Sequence, residues 1–543
     1  MTEPTGRTLR ALIASLAMLI ALTAWAGPAA AQAPRTPAPS AITVATVEWI
    51  EQFDPGVLAS GPGMNYKGAM FDNVIGAGPG GTLSKTTGVV EDWTVSADAT
   101  QVTLRLRKGV KWHDGVEATA EDLAFTLTRF GADDGTASAR PTARKVASLE
   151  ATDKHTVKVT LKEPDSVFVY GLSPLEGDML FIRKDAYKKT DKGWELANPE
   201  APVGTGPYRF ARRKLGEFVE YEAFDDYWDR SRRAAFKTLR IVRIVDASTR
   251  LSALRTGEVT VAPLNPEQID AARGAGLKIM GPKVAAIPLL MFLGSYDPAF
   301  LTNKLEFRKA LMLAYDKKAI VAKIYPPAVA SLATGAAPFS PVSLGWDASL
   351  PAHAYNPQEA RRLLQAAGYD KRPVKIWSYP FGTAPELPLI LEAISGYWQG
   401  VGLNVELTPI DFPAFRPRLF AQPQPWEKSY AAHVGFLVPL PRPSTLNNLG
   451  TFMISQKAGG VAAGYWNAEK IDRIRSELGK IGDLKQLDRR LRDLHHELYN
   501  EHWADPIVFR HLVFGVSPKI CGWTTPDAMD VPTTYSTLRP CAP

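Results

Sequence analysis

Residues 87–130 constrain the fold more than any other part of the chain, because they join a strand, two turns and a helix without a break. Residues 102–106 alternate apolar with polar side chains, which is the period of a half-buried strand. Lys-Gly and Asp-Gly pairs on either side of Trp112 predict tight turns. Thr119 precedes two acids, as at the first turn of a helix. The predicted helix then presents one apolar face, formed by Leu123, Leu127 and Phe130.

The N-terminus has the pattern of a secretory signal peptide. Two arginines in the first ten residues precede an apolar run at 11–26, and the small residues 29–31 fit a cleavage site before Gln32. A membrane anchor is the alternative, but the run is shorter than the roughly 20 residues that a bilayer span needs. No cysteine lies near the cleavage site to carry a lipid. We therefore expect residues 1–31 to be removed, leaving a soluble periplasmic protein without a lipid anchor.

The rest of the chain has the size and composition of a globular protein of two or three domains. Hydrophobic residues make up 45% of the sequence and charged residues 22%. The formal net charge is +7, and removing Glu3, Arg7 and Arg10 leaves +6. No block of basic residues with interleaved aromatics indicates nucleic-acid binding. The mild positive charge is compatible with an anionic ligand, although solubility alone also explains it.

Cys521 and Cys541 are the only cysteines of the sequence. In an oxidising compartment two such residues most simply pair with each other. A metal-binding pair is the alternative, but no cluster of histidines and cysteines accompanies them. We expect a structural disulfide that ties down the C-terminal segment.

The second half of the chain alternates helices with strands. Asn356 followed by proline and an acid predicts a capped helix start. A strand at 374–377, a helix at 386–399 and a strand at 403–407 then follow, which is the order of a parallel βαβ unit. The sequence therefore predicts an α/β protein.

Motifs for catalysis or metal binding are incomplete in this sequence. Residues 76–81 resemble the start of a phosphate loop but lack its lysine. His496-Glu497 begins a zinc-protease pattern, yet Asn500 stands where the second histidine belongs, and no acid completes a site with His495 and His502. No nucleophile-elbow serine is present. We expect no catalytic residue, no metal and no cofactor.

Several phrases of the sequence carry a family resemblance. The segment 87–130 closely resembles the signature of the family 5 extracytoplasmic solute-binding proteins, the peptide- and nickel-binding receptors of bacterial ABC importers. Four further phrases resemble the same family in the same order: PVGTGPYRF at 202–210, YEAFDDYWDR at 221–230, FRKALMLAYDKKAI at 307–320 and AYNPQEARRLLQAAGY at 354–369. The resemblance thus covers nearly the whole mature chain.

The resemblance implies a periplasmic-binding-protein fold with two hinged lobes and an additional inserted domain. Residues 42–75, 202–282 and 504–543 would form lobe I, residues 76–201 the inserted domain, and residues 283–503 lobe II. A ligand would lie between the lobes and be buried when the hinge closes. The expected partners are a peptide or other small solute and the transmembrane permease subunits, with the receptor itself a monomer.

One segment departs from the family pattern. Peptide-binding relatives carry a phrase like GW-x-x-D-x-x-D-P in lobe II, whose first aspartate pairs with the α-ammonium of the peptide. The similar segment here, residues 435–443, reads GFLVPLPRP, with Phe436, Pro439 and Arg442 in place of the tryptophan and the two acids. A buried ammonium without a partner would cost several kcal/mol. We therefore expect that the ligand is not bound by a free N-terminus, and that Arg442 meets a carboxylate or phosphate. The alternative is that Arg442 is a solvated surface residue and that another acid supplies the anchor.

Further ligand-contact candidates follow from their placement in the family. They lie after the first strand, or after strands of lobe II, where α/β sheets present ligand-facing loops. For each aromatic residue, packing in the core is the alternative to ligand contact. The candidates are Trp49, Phe53, Asn65, Tyr66, Trp377, Tyr379, Phe412, Phe415 and Arg416.

The predicted function is that of the periplasmic substrate-binding component of an ABC importer. It is not an enzyme in this interpretation. The alternatives are a secreted α/β hydrolase, and a periplasmic chaperone or sensor partner that uses the same fold.

Overall fold

The computed structural model describes residues 40–57, 61–78, 81–137, 139–381, 384–420, 426–439, 441–455, 458, 465, 467–523 and 535–541. The predicted signal peptide, residues 1–31, lies outside these described residues. Residues Ala41–Cys541 form one compact unit. Within the described part of the chain, no helix combines the length and the apolar character that crossing a membrane requires.

The strands are short, and most belong to three larger sheets. In chain order they are β1 (Ala41–Thr46), β2 (Gly76–Ala77), β3 (Leu83–Ser84), β4 (Val90–Val95), β5 (Gln101–Leu106), β6 (Val146–Asp153), β7 (Thr156–Leu161), β8 (Tyr187–Thr190), β9 (Gly193–Leu196), β10 (Tyr208–Lys214), β11 (Phe218–Ala223), β12 (Thr238–Arg243), β13 (Val261–Pro263), β14 (Lys278–Met280), β15 (Leu289–Leu293), β16 (Ala330–Leu332), β17 (Val374–Ser378), β18 (Val405–Pro409), β19 (Ala432–Leu437), β20 (Ala504–Pro506), β21 (Val508–Arg510), β22 (Phe514–Val516), β23 (Ile520–Cys521) and β24 (Arg539–Pro540).

The α-helices connect and cover these sheets. In chain order they are α1 (Gly61–Lys67), α2 (Ala120–Gly131), α3 (Arg140–Ala143), α4 (Ala247–Thr256), α5 (Ile269–Gly274), α6 (Leu305–Leu313), α7 (Lys317–Ile324), α8 (Pro357–Ala366), α9 (Leu387–Gly400), α10 (Phe412–Phe420), α11 (Thr445–Phe452), α12 (Ala468–Leu478) and α13 (Leu484–Glu501).

A seven-stranded mixed sheet has the order β10-β11-β12-β1-β13-β22-β14. β1 lies between β12 and β13 and is parallel to both, while β22 runs antiparallel to β13 and β14. Because β1 is a central strand, its Ile42 and Val44 are buried. The sheet collects strands from distant parts of the chain, so long segments leave it and return to it.

A four-stranded antiparallel sheet has the order β4-β5-β7-β6 and is built from one of those long segments. It confirms the predicted strand within 87–130, since β5 buries Val102, Leu104 and Leu106. α2 confirms the predicted helix: its first turn contains Asp122, whose carboxylate accepts hydrogen bonds from the amide and hydroxyl of Thr119 at 3.0 and 3.1 Å.

A five-stranded sheet has the order β18-β17-β19-β15-β20. β17 is parallel to β18 and β19, and α9 connects β17 to β18, which confirms the predicted βαβ unit. One face of the sheet packs on helices that include α6 and α9, in a core that contains Ile376 and Val434. The other face carries the side chains of the alternate residues, and it contributes residues to the candidate site described below.

The strand pairing near the C-terminus differs from the predicted boundary between lobes at residue 503. β20 pairs with β15 of the five-stranded sheet, and β21 pairs with β16. The chain enters the seven-stranded sheet only at β22. The return to the first sheet therefore begins about ten residues later than the resemblance implied. The division into two lobes and an inserted domain itself stays a prediction.

The two cysteines form the predicted disulfide, Cys521–Cys541. It joins β23 to the residue after β24, and these two strands pair antiparallel. Between them Tyr535 is buried, and its hydroxyl donates to Asn65 at 3.2 Å. The disulfide and this contact hold the final described residues against the body of the protein.

Candidate functional site

The end of β19 and the segment after it have a fixed path, because their carbonyl groups accept hydrogen bonds from donors elsewhere in the chain. Leu440 lies outside the described residues. The Tyr379 hydroxyl donates to the carbonyl of Phe436, and the Ile287 amide donates to the carbonyl of Pro439 at 3.1 Å. The Ser343 hydroxyl donates to the carbonyl of Arg442 at 2.8 Å, and the Leu344 amide donates to the carbonyl of Pro443 at 2.8 Å. Backbone bonding of this kind satisfies a proline-rich segment that cannot join the sheet.

Glu176 is a buried carboxylic acid that contacts the end of this segment. Its oxygens accept a hydrogen bond from the amide of Ser444 at 2.5 Å and another from Nδ2 of Asn447. Ser444 is the N-cap of α11, so Glu176 sits at the positive end of that helix. Burial raises the pKa of Glu176 to about 7, and the charge of Arg442 acts in the opposite direction. The acid is therefore largely protonated at mildly acid pH.

Arg442 is half-buried. Its positive charge lowers the pKa of Glu176, so the two side chains influence each other electrostatically. Arg442 is thus close enough to act electrostatically on the buried acid. Contact between Arg442 and a ligand stays a prediction.

Four of the predicted aromatic contacts form one cluster on the five-stranded sheet. Trp377 and Tyr379 leave β17 at its carboxyl end, and Phe412 and Phe415 come from α10. The ring of Phe415 lies 4.8 Å from that of Tyr379 and 6.2 Å from that of Trp377, and Phe412 lies 5.4 Å from Tyr379. Trp377 and Tyr379 share the sheet face opposite to Ile376, because successive side chains alternate.

Gly435 explains how α10 can lie so close to the sheet. A Cβ atom at this position would stand 3.2 Å from Cζ of Phe415. The glycine in the middle of β19 thus leaves room for the ring. Phe436, the next residue, points to the opposite face and is buried in the helix-covered core. The structure accordingly separates Phe436 from the other predicted contacts.

Cations surround the indole of Trp377. The Nζ atom of Lys375 lies 4.7 Å and the guanidinium of Arg418 lies 4.8 Å from its ring, which are cation–π distances. The indole Nε1 is buried and has no hydrogen-bond partner among the described residues. A ligand acceptor would satisfy this donor. Arg416, the predicted contact on the same helix, is exposed.

The N-terminal candidates lie at the carboxyl end of β1 in the seven-stranded sheet. The Tyr66 hydroxyl donates to the carbonyl of Glu48 at 2.9 Å, and the ring of Trp49 lies 5.6 Å from the Tyr66 ring in an edge-on arrangement. Asn65 donates to Thr46, the last residue of β1, at 3.3 Å. Trp49 is half-buried. These residues are placed where parallel strands of α/β sheets present ligand-facing groups.

Phe53 has a different environment. It is fully buried, its ring lies 5.3 Å from that of Phe210, and the guanidinium of Arg213 lies 5.2 Å from its centre. Each of these contacts is within the protein. Ligand contact by Phe53 stays a prediction, and the observed contacts are those of a core residue.

A separate cavity of about 690 Å³ lies between the four-stranded sheet and the residues after β11. The guanidinium groups of Arg107 and Arg232 lie 4.7 and 5.3 Å from the ring of Trp228. Two acids, Glu91 and Asp229, share the wall and pair with these arginines. None of the predicted ligand contacts lines this cavity, so it is distinct from the candidate site.

The chain belongs to the bacterial extracellular solute-binding proteins, family 5, since the family model matches residues 86–439. It is 27% identical to the di/tripeptide-binding protein 1 of Pseudomonas aeruginosa over 67% of this chain and 71% of that one. It is 28% identical to heme-binding protein A of Haemophilus influenzae over 67% of this chain and 69% of that one. The solved structure of HbpA2 from Haemophilus parasuis superposes with a TM-score of 0.79 at 20% identity, covering 92% of this chain and all of that one.

These comparisons confirm the family resemblance and the α/β binding-protein fold. The chain is therefore of the class of ABC-transporter substrate-binding proteins. Glu176 is the residue that sequence reasoning missed. It lies 268 and 271 residues before its partners Ser444 and Asn447 in the chain, and no local motif marks it.

Proposed function

We propose that this protein is the periplasmic receptor of an ABC importer, which holds a small solute between two lobes and delivers it to permease subunits. Family membership supports the receptor role. In this proposal the seven-stranded sheet forms the core of lobe I and the five-stranded sheet that of lobe II. Polar and aromatic residues lie at the carboxyl ends of parallel strands in both sheets. At the end of β1, Thr46 is bonded by Asn65 of α1, and Trp377 and Tyr379 lie at the end of β17.

The proposed specificity depends on Glu176, the acid beside residues 435–444, and on its hydrogen bonds and its pKa. Pro439 and Arg442 stand where peptide-binding relatives carry acids, so the segment itself offers no carboxylate. Glu176 is the acid that the fold brings there, but both of its oxygens already accept hydrogen bonds from Ser444 and Asn447. Because burial raises its pKa to about 7, it is also a poor counterion for an ammonium group.

We infer that the ligand is not anchored by a free α-ammonium. Arg442 and Arg418, which lies 4.8 Å from the Trp377 ring, favour a solute with a carboxylate or phosphate instead. Lys375 contributes less, because its Nζ already lies 3.7 Å from Glu406 and 3.8 Å from Glu427. The buried indole N–H of Trp377 would donate to a further acceptor of that solute.

Isothermal titration calorimetry with matched ligands tests this specificity. A dipeptide, its N-acetylated form and a dicarboxylate differ in whether they offer an ammonium, and we expect the free amine to add no affinity. We expect Arg442→Ala to weaken binding of an anionic ligand at least about tenfold, as the loss of a charge-assisted hydrogen bond implies. Arg489→Ala, at an exposed position of α13, is the matched control and should bind normally. Tight one-to-one binding of the dipeptide that acetylation abolishes would contradict the proposal.

We further propose that binding occurs without turnover, that the mature protein carries no lipid anchor, and that it acts as a monomer. Recovery of an unchanged solute after incubation supports a receptor, whereas release of a hydrolysis product would favour the hydrolase alternative.

A further inference from the structure

Among the described residues, three of the contacts between the predicted inserted domain and the predicted lobe II involve Ser166, Gly482 and Glu176. The amide of Ser166 donates to the carbonyl of Gly479 at 3.1 Å, after the end of α12. The backbone at Gly482 packs so closely on Ser96 that a Cβ atom would stand 2.4 Å from the Ser96 carbonyl oxygen. Glu176 makes the third contact, at the N-terminus of α11. If lobe II moves as a body, all three must break together.

The contact of Glu176 is unusual among the three because it buries an ionisable group. The residue is 8% exposed, and no lysine, arginine or histidine nitrogen of the described residues lies within 4.0 Å of its carboxylate. A buried carboxylate without a direct counterion is costly when it is charged. Two N–H donors offset part of that cost. Protonation removes the charge, and it also weakens the two N–H···O bonds, which are stronger to a carboxylate.

We propose that the Glu176 contact with α11 forms when the lobes close, and that closure takes up one proton from solvent onto the Glu176 carboxylate and opening returns it. The inference rests on the proposed receptor function, whose regulation by pH it describes. Solute capture by this receptor would then strengthen as the periplasm becomes more acid.

The charged groups around Glu176 are compatible with this proposal. Arg442 approaches it from the segment after β19, and Lys145 from the residue pair that follows α3. Lys145 is already engaged by Asp165, at 2.6 Å between Nζ and Oδ2. Tyr170 is neutral, since burial and the charge of Glu176 raise its pKa. Both cations favour the charged acid, yet the pKa of Glu176 remains raised to about 7.

The direction of the pH effect follows from this raised pKa. In the open state Glu176 would be solvated, and its pKa would have the ordinary value near 4.5. At a pH between about 4.5 and about 7, Glu176 binds the proton in the closed state and not in the open state. Closure is therefore favoured as the pH falls, and this stabilisation of the closed state is lost as the pH rises through about 7. Between about pH 8 and about pH 5.5 the ratio of closed to open protein should rise about thirtyfold.

Single-molecule fluorescence energy transfer on the unliganded full mature chain tests the proposal. Dyes at Lys158→Cys in β7 and Gln365→Cys in α8 occupy exposed positions on the two parts, and the native cysteines are protected in their disulfide. We expect the closed population to grow with acidity in the parent protein and to become independent of pH in Glu176→Gln. Glu163→Gln, an exposed acid of the same predicted domain, should behave like the parent.

A closed population that does not change with pH in the parent protein would overturn the inference. So would a Glu176→Gln variant that keeps the pH dependence of the parent. Circular dichroism of each variant checks that it is folded. These readouts need no ligand, so their failure is distinguishable from failure of the proposed function, which would show as absence of any bound solute.

Discussion

Arg129 shows how a single residue can couple distant parts of this fold. It lies in α2 and is fully buried, and its Nη2 atom donates to Asp54 at 2.8 Å. Asp54 also accepts from the hydroxyl of Tyr187 and the amide of Gly56, at 2.7 and 2.8 Å. The sequence predicts the apolar face of α2 correctly, but no local pattern marks Arg129 as a buried residue. Its partner is 75 residues away, so local spacing could not reveal the pair.

The Arg129 pair gives a prediction for stability. Arg129→Met would break the direct ion pair of the buried Asp54 and leave it only the nearby charge of Lys67. We expect the free energy of unfolding to fall by about 3 kcal/mol. Chemical denaturation monitored by circular dichroism measures the change. Arg144→Met is the matched control, because Arg144 is exposed and pairs with exposed Asp133. That control should change stability by less than about 1 kcal/mol, and equal losses in both variants would contradict the interpretation.

At the scale of elements, the phrase PVGTGPYRF owes its two glycines to close backbone contact. A Cβ atom at Gly204 would lie 1.9 Å from the carbonyl oxygen of Met70, and one at Gly206 would lie 2.6 Å from the Met70 carbonyl carbon. The amide of Gly206 donates to the same Met70 carbonyl at 2.9 Å. The phrase therefore fixes the entry into β10 against the residues that follow α1.

Substitution of these glycines tests that explanation. Gly204→Ala should destabilise the protein by about 1–3 kcal/mol, because the backbone of Met70 cannot move away as a flexible side chain could. Gly274→Ala is the control, since nothing lies within 4 Å of its added Cβ and the residue ends α5 with ordinary backbone angles. There we expect no loss of stability. Thermal unfolding of both variants decides between the two cases, and a tolerated alanine at position 204 would count against the close contact.

Helix starts were the elements that the sequence predicted best. Asn356 accepts from the amide of Glu359 at 3.0 Å, and at the start predicted for α2 the amide of Thr119 donates to Asp122 at 3.0 Å. Both caps act within four residues, so their chemistry is visible in a short stretch of sequence. The conformation of residues 435–444 was not predictable in this way. Its backbone is bonded by Ile287, Ser343, Leu344 and Tyr379, which the fold brings together from elsewhere.

At the scale of the whole molecule, the order of family phrases predicted the fold class, whereas the site depends on contacts between remote segments. The aromatic candidates of β17 and α10 do meet, because they follow neighbouring parallel strands. Phe436 lies on the other face of its sheet, since a strand alternates its side chains. Glu176 comes from a distant part of the chain, 268 residues before Ser444, to which it is hydrogen-bonded.

The disulfide is the covalent link that holds the C-terminal segment, and its removal should affect the stability of the whole protein. The cysteines are 20 residues apart, and closing a loop of that size stabilises a folded chain by about 3 kcal/mol in the chain-entropy description. We expect the double variant Cys521→Ser/Cys541→Ser to unfold at lower temperature than the parent. Reductant should lower the unfolding temperature of the parent and leave that of the double variant unchanged. Identical unfolding temperatures would contradict this role.

Native mass spectrometry of the mature protein purified from a bacterial periplasm tests the central claim most directly. The account predicts one small solute per chain, recovered chemically unchanged, carrying an acidic group and bound more weakly by the Arg442→Ala variant. A dipeptide held through its free amine, with affinity unaffected by that substitution, would contradict the account.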